Sequence, residues 1–342
     1  MPLPEPTPAA LLRLDWHLDV SAAIPIEGTY DVAASLVAPA GLQADDEITL
    51  LLCLPGGFLS RSYYDLEIGG SRRYSFAEAM ARKGFVTLAL DHVGTGASSR
   101  PADLEDGYRI GLESIAAANQ LAFKAARERL RAGDPAAGLP PLRVGKSIGV
   151  GHSMGSMLTV EQQAAARPHD ALVLFAFGTH GTPRFLDDTL RAYANDPVRL
   201  RRELGDLARR AMGSPYPERA HDSEENRRAA FGVGTAPPDA EEALHGAATN
   251  LLAVGGLASM IPGGYAPPAA QIDVPVFMLF GDHDLLDDRH TRAELPQVPD
   301  LTTFALEDAW HCHFVANTRE QLWEAVSEWI GDQIRPAQRR ER

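Results

Sequence analysis

The residues best suited to chemistry form a short pattern around one serine. The segment Gly151-His152-Ser153-Met154-Gly155 follows an apolar run at 148–151 and precedes a helix-like stretch at 154–166. A serine on a sharp strand-to-helix turn has a strained backbone, and glycines on both sides let neighbouring elements approach closely. The helix start also lies where negative charge develops during attack on a carbonyl. The pattern therefore predicts that Ser153 is a nucleophile.

An acid and a base for this serine follow two later apolar runs. Asp284 ends the segment Gly281-Asp282-His283-Asp284, and His311 ends Ala309-Trp310-His311. In such an arrangement the acid accepts the histidine Nδ1–H, fixes its tautomer and stabilises the imidazolium. Asp284 and His311 are the preferred pair. The alternatives are nearby residues of the same types: Asp282, Asp287 and Asp288 for the acid, and His313 for the base.

Five motifs in this order resemble the alpha/beta hydrolase superfamily over roughly residues 45–335. They are Pro55-Gly56-Gly57-Phe58, the loop at 91–98, the turn at Ser153, the segment 281–284 and the segment 309–311. The chain order Ser…Asp…His is the one that this fold uses. The resemblance implies a catalytic triad of Ser153, Asp284 and His311.

The resemblance also implies an oxyanion hole made of two backbone N–H groups. One belongs to Met154, the residue after the nucleophile. The other aligns with Gly57, or with Phe58 if the loop is shifted by one residue. Pro55 stands where the family usually has a histidine, and proline cannot make that histidine's hydrogen bonds within the loop. The donors are main-chain groups, so the mechanism does not depend on that histidine.

The elements that must position these residues alternate along the chain. Apolar runs bounded by turn residues are typical of strands buried on both faces. They occur at 48–54, 85–90, 148–151, 171–177, 274–280 and 302–306, with helix-like stretches at 74–83, 111–132, 154–166 and 318–334. Strands that alternate with helices indicate an α/β fold: a doubly wound, mostly parallel sheet covered on both faces.

One interval breaks the alternation. Residues 184–270 contain no convincing strand and have helix-like patterns, so we expect an inserted helical cap between core segments 1–183 and 271–342. Such insertions lie near the carboxyl ends of the strands, where the active site belongs. We expect four residues to contact substrate: Phe58, His152, Phe185 and Met260.

Composition narrows the class of protein. Lys and Arg total 32 and Asp and Glu total 46, so the formal net charge is −14, which disfavours nucleic-acid binding. No apolar run approaches the roughly 18 residues that span a bilayer. The two cysteines, Cys53 and Cys312, cannot form a disulfide framework, and no secretory signal is evident, so a cytoplasmic protein is expected. A homodimer is an open alternative.

The expected function is hydrolysis of a carboxylic ester or lactone of a small to medium apolar substrate, without cofactor or metal. Histidines at 283, 311 and 313 with nearby aspartates could suggest zinc, but the triad already uses His311 and Asp284. A C–C bond hydrolase, a thioesterase and an acyltransferase are alternatives on the same triad. A non-catalytic ligand-binding member of the fold is the alternative from another class.

Overall fold

One sheet of eight strands organises the part of the chain that is described. The computed structural model describes residues 10–218, 228–229, 232, 236–287, 289 and 291–334. The strands are β1 Leu11–Asp19, β2 Asp31–Pro39, β3 Glu47–Leu54, β4 Val86–Leu90, β5 Arg143–His152, β6 Ala171–Phe175, β7 Val276–Gly281 and β8 Leu301–Leu306. Their spatial order is β1-β2-β4-β3-β5-β6-β7-β8. Neighbours among β3 to β8 are parallel, whereas β1 pairs antiparallel with β2 and β2 with β4.

The predicted α/β class with a mostly parallel sheet is confirmed, and each of the six predicted runs overlaps one of the strands. Sequence analysis missed β1 and β2. In β1, Trp16 and Leu18 are buried while Asp15, His17 and Asp19 are exposed. This alternation is typical of an edge strand covered on one face, and a search for continuous apolar runs overlooks it.

Helices cover both faces of the sheet. In the described residues they are α1 Phe76–Arg82, α2 Leu112–Ala132, α3 Met154–Ala166, α4 Asp188–Arg191, α5 Pro197–Met212, α6 Ala240–Gly246, α7 Ala253–Met260, α8 Ala266–Ala269, α9 Thr291–Glu294 and α10 Arg319–Ile334. The alternating side chains of β3 separate two cores. Leu50 and Leu52 face a core built with α2 and α3, whereas Leu51 and Cys53 face one built with α1 and α10.

The 184–270 segment contains α4 to α8, and its described residues form no strand longer than the single bridge of Ala248 with Leu59. A partly buried ion pair connects it to the rest of the chain. The Arg201 guanidinium in α5 donates to both carboxylate oxygens of Glu161 in α3, over 2.8 and 2.7 Å. Because α3 begins directly after Ser153, this contact joins the segment to the helix that follows the predicted nucleophile. None of the described helices combines the length and apolar character needed to cross a membrane.

Replacing Arg201 with alanine would leave the Glu161 carboxylate without its main partner. We expect Arg201→Ala to lower the free energy of unfolding by about 1–3 kcal/mol, measured by urea denaturation. The matched control is Arg202→Ala, since its side chain is 69% exposed and should contribute nothing measurable. Equal stability of the two variants would contradict a fastening role for Arg201.

Candidate active site

The predicted nucleophile lies on a tight turn between β5 and α3. Ser153 has φ 53° and ψ −123°, a conformation that costs a non-glycine residue about 1–3 kcal/mol. Neither flanking glycine has room for a side chain. A Cβ atom on Gly151 would lie 2.3 Å from the Cα of Ser156, and one on Gly155 would lie 2.0 Å from the carbonyl oxygen of Leu54. The turn therefore depends on close contact between α3 and the ends of β3 and β5.

A chain of hydrogen bonds joins the three predicted triad residues. The Ser153 hydroxyl donates to Nε2 of His311 over 2.8 Å. The Nδ1–H of His311 donates to Oδ1 of Asp284 over 2.7 Å. This direction leaves Nε2 of His311 free to accept the serine proton. In this geometry Ser153 could act as a nucleophile, His311 as a base and Asp284 as an orienting acid.

The Asp284 carboxylate is fully buried and surrounded by donors. Oδ1 also accepts the N–H of Leu285 over 2.6 Å, and Oδ2 accepts Nε2–H of His313 over 2.7 Å. Burial alone would raise the pKa of Asp284. The electrostatic attraction of His311 and the hydrogen bonds that His311 and His313 donate outweigh burial, so the pKa of Asp284 lies well below its usual range. A buried negative charge therefore lies directly behind the His311 ring.

The competing acids lie elsewhere. Asp282 accepts the N–H groups of Asp308 and Ala309 over 3.1 and 3.0 Å and so holds the loop that leads to His311. Asp287 is paired with Arg289. Asp288 lies outside the described residues. Asp284 is thus the acid that the geometry brings to His311.

His152 lies behind the site. Its ring is buried, and its Nε2–H donates to the carbonyl of His311 over 2.8 Å. Burial, reinforced by the imidazoles of His311 and His313, lowers the pKa of His152 well below its usual range, so it is neutral. The residue lines the cavity at Ser153, so its predicted substrate contact stays a prediction. Its hydrogen bond to the His311 backbone was not foreseen from the sequence.

The loop after β3 approaches the turn from the opposite side. Gly57 lies against Leu251, whose Cδ1 would be 2.7 Å from a Cβ atom at that position. Phe58 has φ 61°, and its carbonyl accepts the N–H of Thr249 over 2.9 Å. Met154 is the first residue of α3, so its N–H has no partner within the helix. Among the described residues, no hydrogen bond uses the N–H of Gly57, Phe58 or Met154.

A histidine from another loop fixes the path of this segment. His92 is buried, and its Nε2–H donates to the carbonyl of Pro55 over 2.8 Å. Burial lowers the pKa of His92, which keeps it neutral as this donor role requires. Sequence analysis placed His92 in a structural loop and missed the contact. The sequence did contain a sign of this contact. Position 55 is a proline where the family usually has a histidine, so the loop needs a hydrogen-bond donor from elsewhere in the chain.

A cavity of about 260 Å³ opens at Ser153. Of the predicted substrate contacts, Phe58, Phe185 and Met260 line it, and so does Gly57. Its walls are mostly apolar, and the 184–270 segment contributes Phe185, Leu251 and Met260. Any group bound there would lie beside the Ser153 hydroxyl against largely apolar walls.

One group of three possible metal ligands occurs among the described residues. Ligand atoms of Asp282, His283 and Asp308 lie within 4.8 Å of one another, and all three residues are exposed. The Asp282 carboxylate already accepts two backbone N–H groups of the loop before His311. The group uses none of the residues hydrogen-bonded to Ser153 or to the His311 ring.

Comparison with known proteins identifies the family. A family model described as the alpha/beta hydrolase family matches residues 51–325. The chain belongs to the alpha/beta hydrolase family. No curated protein matches the sequence significantly.

Solved structures share the alpha/beta hydrolase fold at low sequence identity. The alpha/beta hydrolase GrgF from Penicillium sp. sh18 is 13% identical with a TM-score of 0.59, over 94% of this chain and 98% of that one. The N-formylmaleamic acid deformylase Nfo from Pseudomonas putida S16 is 15% identical with a TM-score of 0.53, over 92% and 100%. A thioesterase domain from the curacin biosynthetic pathway is 14% identical with a TM-score of 0.53, over 93% and 99%.

The crowding at Gly155 gives a direct test of the turn. A Cβ atom there meets two backbone oxygens, those of Leu54 and Pro55, which cannot rotate away. We expect Gly155→Ala to lower the free energy of unfolding by more than about 3 kcal/mol in thermal or urea denaturation. Gly331→Ala in α10 is the control, because nothing lies within 4 Å and alanine favours helix by up to about 1 kcal/mol. Wild-type stability of Gly155→Ala would show that the turn is not packed as described.

Proposed function

We propose that this alpha/beta hydrolase is a serine hydrolase that cleaves a carboxylic ester or lactone. The observation that carries the proposal is the pair of hydrogen bonds on His311, 2.8 Å to the Ser153 hydroxyl and 2.7 Å to Asp284. Ser153 is the nucleophile, His311 the general base and Asp284 the acid that orients and stabilises the imidazolium.

In the first half of the reaction, the Ser153 oxygen attacks the carbonyl carbon while its proton moves to Nε2 of His311. The carbonyl oxygen becomes an oxyanion, which the N–H groups of Met154 and Gly57 stabilise, with Phe58 as the alternative second donor. The tetrahedral intermediate then expels the alcohol oxygen, which takes the proton from His311. An acyl group stays bonded to Ser153.

In the second half, water replaces the alcohol. His311 takes a proton from water as the water oxygen attacks the acyl carbon, and a second oxyanion forms in the same place. Its collapse releases the acid and returns the proton from His311 to the Ser153 oxygen. Every proton that leaves a nucleophile passes through Nε2 of His311, so neither a cofactor nor a metal is required.

The cavity supports a small to medium apolar substrate. Its volume of about 260 Å³ and its largely apolar walls suit an acyl or alcohol group of modest size. Solved structures of the same fold include a deformylase and a thioesterase domain, so the fold leaves the cleaved bond open. A turnover screen over esters, lactones, thioesters and C–C bond substrates, with alcohols as competing acceptors, separates hydrolase types from an acyltransferase.

We also propose that the 184–270 segment acts as a cap on a core formed by residues 1–183 and 271–342. Phe185, Leu251 and Met260 of this segment line the cavity beside Ser153. The segment also holds the loop that contains the second oxyanion donor. The Thr249 N–H donates to the Phe58 carbonyl, and the Ser60 N–H donates to the Ala247 carbonyl. Substrate choice therefore depends on the cap, whereas the chemistry depends on the core.

Removing the Ser153 hydroxyl tests the nucleophile. We expect Ser153→Ala to lower turnover of 4-nitrophenyl acetate by roughly 10⁴-fold or more and to abolish labelling by a fluorophosphonate. The comparison variant is Ser327→Ala on α10, where the hydroxyl donates to the Glu324 carbonyl and takes no part in the site. Near-normal turnover by folded Ser153→Ala would end the proposal, and a wild type with neither turnover nor labelling would favour a non-catalytic ligand-binding protein.

Truncating a wall residue tests the cap. Phe185 is 50% exposed yet lines the cavity, so Phe185→Ala should change the ratio of kcat/KM for short and long acyl esters several-fold with little loss of stability. Met260→Ala should act in the same direction. Val198→Ala is the control, because this residue of the same segment is 75% exposed and lies outside the cavity lining. An unchanged chain-length preference in both wall variants would remove the cap from substrate selection.

A further inference from the structure

The acid behind His311 is shared with a second histidine. Oδ1 of Asp284 accepts from His311, and Oδ2 accepts Nε2–H of His313 over 2.7 Å. The His313 side chain is completely buried, although its residue type is costly to bury without a partner. The proposed mechanism uses His311 and Asp284 but gives His313 no task.

The contacts of Asp284 define what His313 can do. Oδ1 accepts from His311 and from the Leu285 N–H, and Oδ2 accepts from His313 and, over 3.3 Å, from the Gly281 N–H. The His313 contact is the shorter of the two on Oδ2. It opposes rotation of the carboxylate about χ2, which would otherwise exchange the oxygen facing His311.

The surroundings of His313 suit a side chain that donates through Nε2 alone. Its Nδ1 is buried and has no hydrogen-bond partner among the described residues, so an imidazolium would leave one N–H unsatisfied. The His152 and His311 rings lie 5.7 and 6.5 Å away, and a second positive charge would disfavour protonation of the catalytic base. The titratable groups around the Asp284–His313 pair are His152, His311, Tyr63 and Cys312.

We propose that His313 is a positioning residue, which acts through Asp284 as a neutral Nε2–H donor. The inference rests on the proposed roles of Ser153, His311 and Asp284. The hydrogen bond from His313 to Oδ2 keeps Oδ1 oriented toward the Nδ1–H of His311. It also withdraws electron density from the carboxylate, which moderates how strongly Asp284 stabilises protonated His311. His311 therefore stays an unprotonated base at lower pH than it would beside an acid with a free second oxygen.

The test is the rate of fluorophosphonate labelling of Ser153 as a function of pH, which needs no natural substrate. We expect His313→Ala to label about tenfold more slowly, as for one lost hydrogen bond to a charged group. The acid limb, which is the fall in labelling rate on the acidic side of the pH profile, should shift to higher pH by about half to one unit, because Asp284 becomes more basic. His313→Gln places an amide N–H near the Nε2 position and should restore most of the rate and the limb.

Controls separate this role from packing. His169→Ala removes another buried histidine, one bonded to Ser147, and should lower stability without moving the acid limb. A slower His313→Ala with an unmoved limb, or a Gln variant no better than Ala, would overturn the proposal. If the wild type is not labelled at Ser153, the proposed function itself fails. Labelled wild type with unchanged His313 variants contradicts the positioning role alone.

A measurement on the wild type covers the case in which His313→Ala does not fold. Nitrogen-15 chemical shifts of labelled histidines distinguish the two neutral tautomers from the imidazolium. We expect the His313 resonance to be that of a neutral Nε2–H tautomer at the pH of fastest labelling. An imidazolium or an Nδ1–H tautomer at that pH would overturn the assignment.

Discussion

The backbone of Ser153 is the constraint on which the active site depends. A serine keeps a φ of 53° only where the packing around it excludes backbone conformations of lower energy. The carbonyl of Phe175 at the end of β6 accepts both the Ser153 N–H, over 2.9 Å, and the Ser156 hydroxyl, over 2.8 Å. Gly155 meanwhile lets the end of β3 lie directly against α3. The turn therefore holds β3, β5, β6 and α3 together, and with them the loop that contains the proposed second oxyanion donor.

The second constraint is the buried charge of Asp284. A carboxylate without solvent must be matched by donors, and four N–H groups supply them. The parallel strands β5, β7 and β8 end at one edge of the sheet, so their loops bring Ser153, Asp284 and His311 together. His152 then holds the His311 backbone from behind. The fold therefore orients His311, the proposed base, before any substrate binds.

The sequence predicted much of this arrangement because parallel strands make position along the chain a guide to position in space. The glycines around Ser153 and the loops after β7 and β8 were sufficient to single out three side chains that the structure joins by hydrogen bonds. The edge strand β1 was missed because it buries only one face. β2 lies between β1 and β4 and is buried on both faces, but Ser35 and its alanines interrupt a continuous run of large apolar residues. The contacts of His92 with Pro55 and of His313 with Asp284 depend on which side chains face each other across loops, and no spacing rule specifies that.

The central claim is that a covalent acyl group forms on Ser153. The direct measurement is acid quenching of the enzyme during turnover of 4-nitrophenyl acetate, followed by peptide mass spectrometry. We predict one acetyl group on the peptide that contains Ser153, formed as a burst of nitrophenol stoichiometric with enzyme. An acetyl group found at Cys312, the thiol that lines the same cavity, would contradict the account. So would turnover with no burst and no acylated peptide when Ser153→Ala is equally active.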